Sequence, residues 1–421
     1  MWASAATLAS PGLRVLLRQR ARRGKEAPHR LGERLGRESA SRPAGPLLWL
    51  HAASVCESVS ILPVLSVLAR REPALSMLLT TGTVTSAELL GRRLPELGLS
   101  DRVIHRFVPL DVPRWVARFL DHWRPDAAAF IESELWPNLL AGCHTRRIPV
   151  MLVNARLSAT SEARWRRVSG MARHVLGCFE FVQAQSADDA ERLAALGAKH
   201  VMTAGNLKFA APPLPADEAE LARLRGVLAG RPCWLAASTH PGEETLVLAA
   251  HRLLAPDHPG LVSIIVPRHR ERGPRIAAEC GQTAVALRSK GHPPPAEGIL
   301  IGDTLGELGL WYRLAGIALI GRSLVPPGGG QNPLEAARLG CVVAAGPLMS
   351  NFADAVQTLG AAGALTRVTD TGSISRFVAD MLARPERRAA IAGAGAQAVA
   401  RYADLPDRTA GALLDLLARS R

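Results

Sequence analysis

A carboxylate that opens a helix just after a buried strand can take a proton from a hydroxyl, and Glu57 stands in such a place. Leu47–Ala53 reads as an apolar strand and Ser54-Val-Cys-Glu-Ser58 begins the helix after it. The same position also suits a plain negative charge on the positive end of a helix dipole. Glu132 and Glu134 follow another apolar strand in Ile131-Glu-Ser-Glu-Leu-Trp-Pro-Asn138, where an acid needs partners or a purpose. Leu261-Val-Ser-Ile-Ile-Val-Pro-Arg-His-Arg-Glu-Arg272 is a buried strand that ends in basic and imidazole side chains. Arg268 comes first after it, placed to meet an anionic group. Trp234-Leu-Ala-Ala-Ser-Thr-His-Pro-Gly-Glu-Glu244 ends another strand in hydroxyls before a helix start.

The richest stretch is Ile317-Ala-Leu-Ile-Gly-Arg-Ser323, followed by Pro326-Pro-Gly-Gly-Gly-Gln-Asn-Pro-Leu-Glu-Ala-Ala337. A strand runs into a glycine-rich loop and then a helix that Asn332 can cap, with Pro333 in its first turn. Bare amides at such a helix start attract phosphate. Glu335 would repel a phosphate placed beside it, so it reads better as an acceptor for the sugar hydroxyls of a nucleotide.

These loops need elements that bring them together. Apolar runs at Leu47–Ala53, Leu75–Thr83, Val103–Pro109, Ala127–Ile131, Pro149–Asn154, Phe179–Gln185 and His200–Ala204 alternate with helical patterns. Among those patterns are Val59–Arg71, Ser86–Leu94, Arg114–Trp123 and Ala187–Leu196. The alternation resumes at Trp234–Ser238, Leu261–Pro267, Ala284–Leu287, Ile299–Gly302, Ile317–Gly321 and Val342–Gly346. Strands alternating with helices predict an α/β fold of parallel sheets with helices on both faces. The expectation is two doubly wound, Rossmann-like domains facing each other across a cleft, with ligands at the carboxyl ends of strands.

Composition narrows the class. With 421 residues, 48% hydrophobic and 21% charged, the chain is globular, and disorder, collagen and coiled coil are excluded as its main architecture. The longest uncharged stretches, Pro73–Ala87 and Leu339–Ala353, fall short of the roughly 20 residues of a spanning helix. Aromatics at 4% are thin for base stacking, and no nucleic-acid partner is expected. The six cysteines stand singly with no metal-ligand spacing, so no metal, cofactor or disulfide framework is expected. The net charge is +14, and half of it lies in residues 1–37, which hold nine Arg/Lys and two acids. There Leu13, Val15, Leu16 and Leu17 alternate with Arg14, Arg18 and Arg20, as in a helix lying on an anionic membrane. An unspecific basic tail and a nucleic-acid arm are the other readings.

Many ordered motifs resemble one family. His51-Ala-Ala-Ser-Val-Cys-Glu57, Thr80-Thr-Gly-Thr83, Phe107-Val-Pro-Leu-Asp-Val-Pro113, Glu132-Ser-Glu-Leu-Trp-Pro-Asn138, Leu152-Val-Asn-Ala-Arg-Leu-Ser158 and Gly205-Asn-Leu-Lys208 resemble the N-terminal half of 3-deoxy-D-manno-octulosonic acid (Kdo) transferases. Ala237-Ser-Thr-His-Pro-Gly-Glu-Glu244, Pro267-Arg-His, Gly302-Asp-Thr-Leu-Gly-Glu307 and Gly330-Gln-Asn-Pro-Leu-Glu335 resemble their C-terminal half. The resemblance implies a GT-B glycosyltransferase that moves Kdo from CMP-Kdo to the lipid A precursor with inversion and without a bound metal. The resemblance also implies a place at the cytoplasmic face of the bacterial inner membrane.

The resemblance puts the catalytic base on Glu57 and a second important acid on Glu132 or Glu134. It puts CMP contacts on Arg268, His269, Asn332 and Glu335, and a phosphate loop on Ser323, Gly329 and Gly330. Three departures stand out. Cys56 replaces the Gly usual before the base and would strain the turn if φ there were positive. Arg322 replaces a second Gly, and the usual N-terminal apolar anchor is shortened, so attachment is expected to be peripheral.

The expected organisation is a membrane-surface segment 1–37, an acceptor-binding domain 38–208, a linker 209–216 and a CMP-sugar-binding domain 217–421. Another GT-B enzyme with a different nucleotide sugar, and a catalytically impaired homologue, are the alternative readings.

Overall fold

The computed structural model describes residues 2–210 and 213–419. Seven short strands form the first sheet: β1 (Leu47–His51), β2 (Ser76–Thr81), β3 (Val103–Phe107), β4 (Ala127–Ile131), β5 (Val150–Ala155), β6 (Phe181–Ala184) and β7 (Val201–Thr203). Their order is β3-β2-β1-β4-β5-β6-β7, and every neighbouring pair is parallel. The second sheet holds β8 (Cys233–Thr239), β9 (Val262–Pro267), β10 (Val285–Leu287), β11 (Gly298–Ile301), β12 (Ile317–Ile320), β13 (Val342–Ala345) and β14 (Leu365–Arg367). Its order is β10-β11-β9-β8-β12-β13-β14, again parallel throughout.

Parallel neighbours require long crossovers, which the intervening helices supply. The chain order reverses between β1 and β4 in one sheet and between β8 and β12 in the other. At each reversal two successive crossovers leave on opposite sides, which opens space at the carboxyl edge for a ligand.

The central strands of each sheet are covered on both faces, so they are apolar on both sides, while the outer strands β3, β7 and β14 are only partly buried. On β1, Leu48 and Leu50 join one core cluster while Leu47 and Trp49 join the other. Each fully buried side chain of this kind contributes about 1.5–3 kcal/mol relative to an exposed one.

The chain divides into two compact units, Met1–Ala211 with Tyr402–Arg421, and Pro212–Arg401. Residues 402–419 therefore depart from the expected 217–421 domain. Leu413, Leu416 and Leu417 of the final helix, Leu405–Ala418, pack in the core that also holds Ile61, Leu65 and Leu68 of helix α2 (Val55–Arg71). That apolar face has its partner in the first unit, and burial carries the helix there. In the expected linker, Phe209 and Ala210 end a 3-10 turn, while Ala211 and Pro212 lie outside the described residues.

The basic N-terminal segment is divided in use. Helix α1 (Trp2–Arg22) packs on the helix Pro113–Trp123, burying Leu17, while Leu8, Val15 and Leu16 are exposed. Residues 26–37 are knitted into the fold. Arg34 is buried, pairs with Glu26, and donates to the carbonyls of Val108 and Gly82. Among the described residues, no helix is long and apolar enough to cross a membrane.

Candidate active site

The loops after β1 and β4 meet at the reversal of the first sheet. Ser54 caps α2, its side chain accepting from the Glu57 amide. The Glu57 carboxylate reaches back to accept from the Ala53 amide at 2.7 Å and from the Ser54 hydroxyl at 2.6 Å. The amide it takes is that of Ala53, the residue before the cap, so the carboxylate is tied back over the helix start and the side chain is fixed. Glu57 is buried, and burial pushes its carboxyl above the usual carboxylate range, aided by the charges of Glu134 and Glu132. A helix N-terminus alone would do the opposite.

Glu134 goes the other way. Burial would raise it, but hydrogen bonds from His51 and Trp136, with the His51 charge, hold it below the usual range. His51 Nε2 lies 3.2 Å from Glu134 Oε2, and His51 Nδ1 lies 3.0 Å from the Thr80 hydroxyl. Glu132 is engaged differently, with Lys208 Nζ 2.9 Å from its Oε1. Two neighbouring carboxylates with pKa values pushed apart are what a site needs to keep one ionised and let the other exchange a proton.

In the second unit, the loops after β8, β9 and β12 are brought together. Asn332 caps the helix Pro333–Arg338, accepting from the Leu334 amide, and its amide group donates to Glu335 Oε1 at 3.2 Å. Burial raises the Glu335 carboxyl, partly offset by the Asn332 hydrogen bond and by the charge of Arg268. His240 and His269 stand edge to face, ring centroids 5.8 Å apart. Burial, then Arg322, His269 and Arg268, hold His240 below the ordinary histidine range against the pull of Glu243. The result is a rim that combines Arg268, two imidazoles and a carboxylate.

The glycine loop differs from its expected form. Gly328, Gly329 and Gly330 all have positive φ, and this turns their amides inward. Gly329 donates to the Leu348 carbonyl, Gly330 to Arg322 and Gln331 to Gly321. These three amides are therefore not the bare phosphate donors that the sequence suggests. Ser323 is fully buried; its hydroxyl donates to the Ile320 carbonyl and accepts from the Gly346 amide.

Glu243 organises this loop. Its buried carboxylate accepts from the amides of Arg322 (2.7 Å), Ser323 (2.8 Å), Leu324 (3.0 Å) and His240 (2.9 Å). Sequence reasoning did not single it out. Two acids opening a helix straight after Pro-Gly were the available signal. His51 and Lys208 were quoted only inside motifs, although a histidine closing an apolar strand is a signal in itself.

Strained backbone gathers at these strand ends: Glu132 (φ 62), Asn154 (φ 55), Ser238 (φ 56) and Arg322 (φ 56) lie in the left-handed region. Such residues cost of order 1–3 kcal/mol each and cluster at functional sites. The turn proposed for Cys56 is not among them. The non-helical residue is Ser54 (φ −111), and Cys56 is already helical, so the side chain meets no backbone penalty there. The departure with a conformational cost is Arg322. Arg322→Gly is expected to stabilise by about 1 kcal/mol, or roughly 2–4 °C in Tm by calorimetry. A lowered Tm would show instead that the Arg322 side chain contributes more than its backbone costs.

Similar proteins are informative here. The family described as 3-deoxy-D-manno-octulosonic-acid transferase (kdotransferase) matches residues 29–211. The 3-deoxy-D-manno-octulosonic acid transferase of Bordetella pertussis is 34% identical over 401 residues, covering 91% of each chain. That of Haemophilus influenzae is 32% identical over 377 residues, covering 87% of this chain and 86% of its own. Among solved structures, UDP-GlcNAc 2-epimerase from Neisseria meningitidis bound to UDP-GlcNAc superposes with a TM-score of 0.60 at 15% identity, over 88% of this chain and 100% of that one. A glycosyltransferase from Rickettsia africae gives 0.56 at 11%, over 89% and 99%. At these identities the likeness is one of fold, the GT-B arrangement of two parallel α/β sheets.

Proposed function

Because the chain belongs to the 3-deoxy-D-manno-octulosonic acid transferase family, we propose that it moves Kdo from CMP-Kdo to lipid IVA, the acylated and phosphorylated disaccharide precursor of lipid A, with inversion. The observation that carries the catalytic part is the pair Glu57 and Glu134, one carboxyl raised and its neighbour lowered at the β1/β4 reversal.

Glu57 accepts the proton of the primary hydroxyl of the acceptor's distal glucosamine. The freed oxygen forms a bond to the anomeric carbon of Kdo as the bond from that carbon to the CMP phosphate oxygen breaks, and CMP leaves with the electron pair. Glu134 stays ionised through His51 and Trp136 and keeps the Glu57 proton affinity high. Glu132, paired with Lys208, adds to the same field. In the second unit, Arg268 and His269 meet the charge on departing CMP, and Glu335, held by Asn332, accepts from ribose hydroxyls. Gly329, Gly330 and Ser323 shape the loop, and Glu243 holds it. The reading includes no bound metal and no cofactor. Incubation with CMP-Kdo and lipid IVA, followed by mass spectrometry, is expected to give Kdo adducts of the lipid. Absence of adducts from protein that still binds CMP would sink the reading, as would CMP stabilising the fold no better than UDP or GDP.

The same reading places the enzyme peripherally on the cytoplasmic face of the inner membrane. Leu8, Val15 and Leu16 of α1 are exposed beside Arg18, Arg22, Arg23 and Lys25. Full-length protein is expected to sediment with anionic vesicles, and less so at high salt, where exposed charges are screened within about 8 Å or less. Leu8→Asp with Leu16→Asp is expected to abolish sedimentation. Undiminished sedimentation of that variant would exclude this face.

A further inference from the structure

A groove of about 660 Å³ lies within the first unit, beside the carboxylates. Trp2, Trp136, Trp165, Val168, Met171 and Arg164 contribute to its walls, and Glu134 lines it as well. The volume is within the roughly 300–1,000 Å³ usual for sites that enclose small ligands. Its rim is apolar but exposed: Trp2 and Val168 each keep 49% of their surface accessible.

The distribution of tryptophan is telling. The chain has eight. Trp49, Trp115, Trp123, Trp234 and Trp311 are fully buried in the cores. The other three, Trp2, Trp136 and Trp165, all line this groove. Two of these indoles have their polar atom tied down within the fold. Trp2 Nε1 donates to Asp111 Oδ2 at 2.9 Å, and Trp136 Nε1 donates to Glu134. Asp111 also accepts from the amides of Asn138 and Leu139, so one carboxylate fastens α1 to the start of the helix Pro137–Thr145 that follows the Glu134 loop. With those N–H groups satisfied, the ring faces are left for apolar contact.

We propose that this groove holds one acyl chain of the lipid acceptor, which rests on the reading above that the acceptor is an acylated, phosphorylated glucosamine. Three observations select a chain with an anionic head over other occupants. The groove is lined by Glu134, so a bound chain lies beside the carboxylates that serve the acceptor hydroxyl. Exposed Arg164 supplies a cation for phosphate at the rim. One wall comes from α1, whose outer face carries the exposed Leu8, Val15 and Leu16, so the groove borders the surface proposed to meet the bilayer.

The tryptophans supply the test. Full-length protein is titrated with a brominated single-chain alkyl phosphate kept below its micelle concentration, and intrinsic fluorescence is read. Quenching should saturate and stay within the share of the three groove tryptophans. Trp165→Phe, which keeps an apolar ring, should shrink the quenched fraction with little change in Kd. Val168→Asp should weaken binding by at least about tenfold, because it sets an unpaired charge against the chain. The far-UV circular dichroism and melting profile of each variant should match wild type and so report an intact first unit, and CMP affinity, read in the other unit, should be unchanged. Equal quenching of wild type and Val168→Asp would overturn the proposal. So would quenching by brominated vesicles but not by the monomeric amphiphile, which would assign the face to the bilayer. Transfer is scored separately: lack of Kdo adducts with quenching intact counts against the acceptor reading and not against a chain-binding groove.

Discussion

Glu57→Gln is expected to lower kcat by about 10²–10⁴-fold, the usual worth of a positioned general base, while CMP affinity stays within twofold of wild type. Gln keeps the size of the side chain but cannot take the acceptor proton. The wild-type pH profile should carry the same signature. The base works only when ionised, so kcat/KM should fall as pH drops through the Glu57 pKa, which burial and the charges of Glu134 and Glu132 place above the ordinary glutamate range.

The stability consequence has a definite sign. A carboxyl whose folded pKa is raised favours the folded state while protonated and loses that contribution as pH rises through the folded value. Wild type should therefore lose Tm across the window that begins near the unfolded glutamate value of about 4.3, and Glu57→Gln should lose less. A simple helix-dipole charge predicts the reverse, a Tm that falls on acidification and a kcat that survives substitution. Unchanged kcat in Glu57→Gln would remove this residue from the mechanism.

Arg268→Ala should be the second large effect, a loss of about 2.7–4 kcal/mol of transition-state stabilisation, or 10²–10³ in kcat. Arg268 follows β9 directly, and its amide donates to the Thr239 carbonyl at 3.0 Å, so the base of the side chain is fixed across two strands. Its charge also keeps Glu335 from rising further. Removing it should therefore make CMP binding weaker and more sensitive to pH on the alkaline side of the ordinary glutamate range. Glu335→Ala separates the two roles. It should weaken CMP much more than 2′-deoxy-CMP, since a ribose hydroxyl is the lost partner, whereas Arg268→Ala should weaken both alike. Calorimetry showing equal CMP affinity in wild type and both variants would dismiss this donor site.

Among the elements, those whose information is local were legible. Period and length marked thirteen of the strands, because a parallel strand covered on both faces must be a short apolar run. The strand missed, β14 (Leu365–Arg367), has three residues of which Leu365 alone is apolar, so it carries no such run; β7, equally short and no better buried, reads Val-Met-Thr. The start of α2 was legible in part: Glu57 was expected at a helix N-terminus, and the structure starts the helix at Val55 with Ser54 as its cap.

The motifs of the sequence by themselves determined the two-sheet α/β class and the family, and they singled out the strand ends proposed to carry its chemistry. Each of these depends on residues close together in the chain. Tertiary structure alone decided the rest, because it depends on partners far apart. Glu132 and Glu134 could not be told apart by their surroundings in sequence; in the fold His51, 83 positions from Glu134, engages that carboxylate, and Lys208 pairs with Glu132. The amides of Gly329, Gly330 and Gln331 found their acceptors in the carbonyls of Leu348, Arg322 and Gly321, none of them a neighbour in sequence. Glu243 became a loop anchor only when residues 79 to 81 positions further along folded onto it. The final helix left its expected domain because its leucines match the apolar face of α2 and not a neighbour in sequence. The proton affinity of Glu57 was decided last and by burial, since desolvation is set by everything packed around a carboxyl.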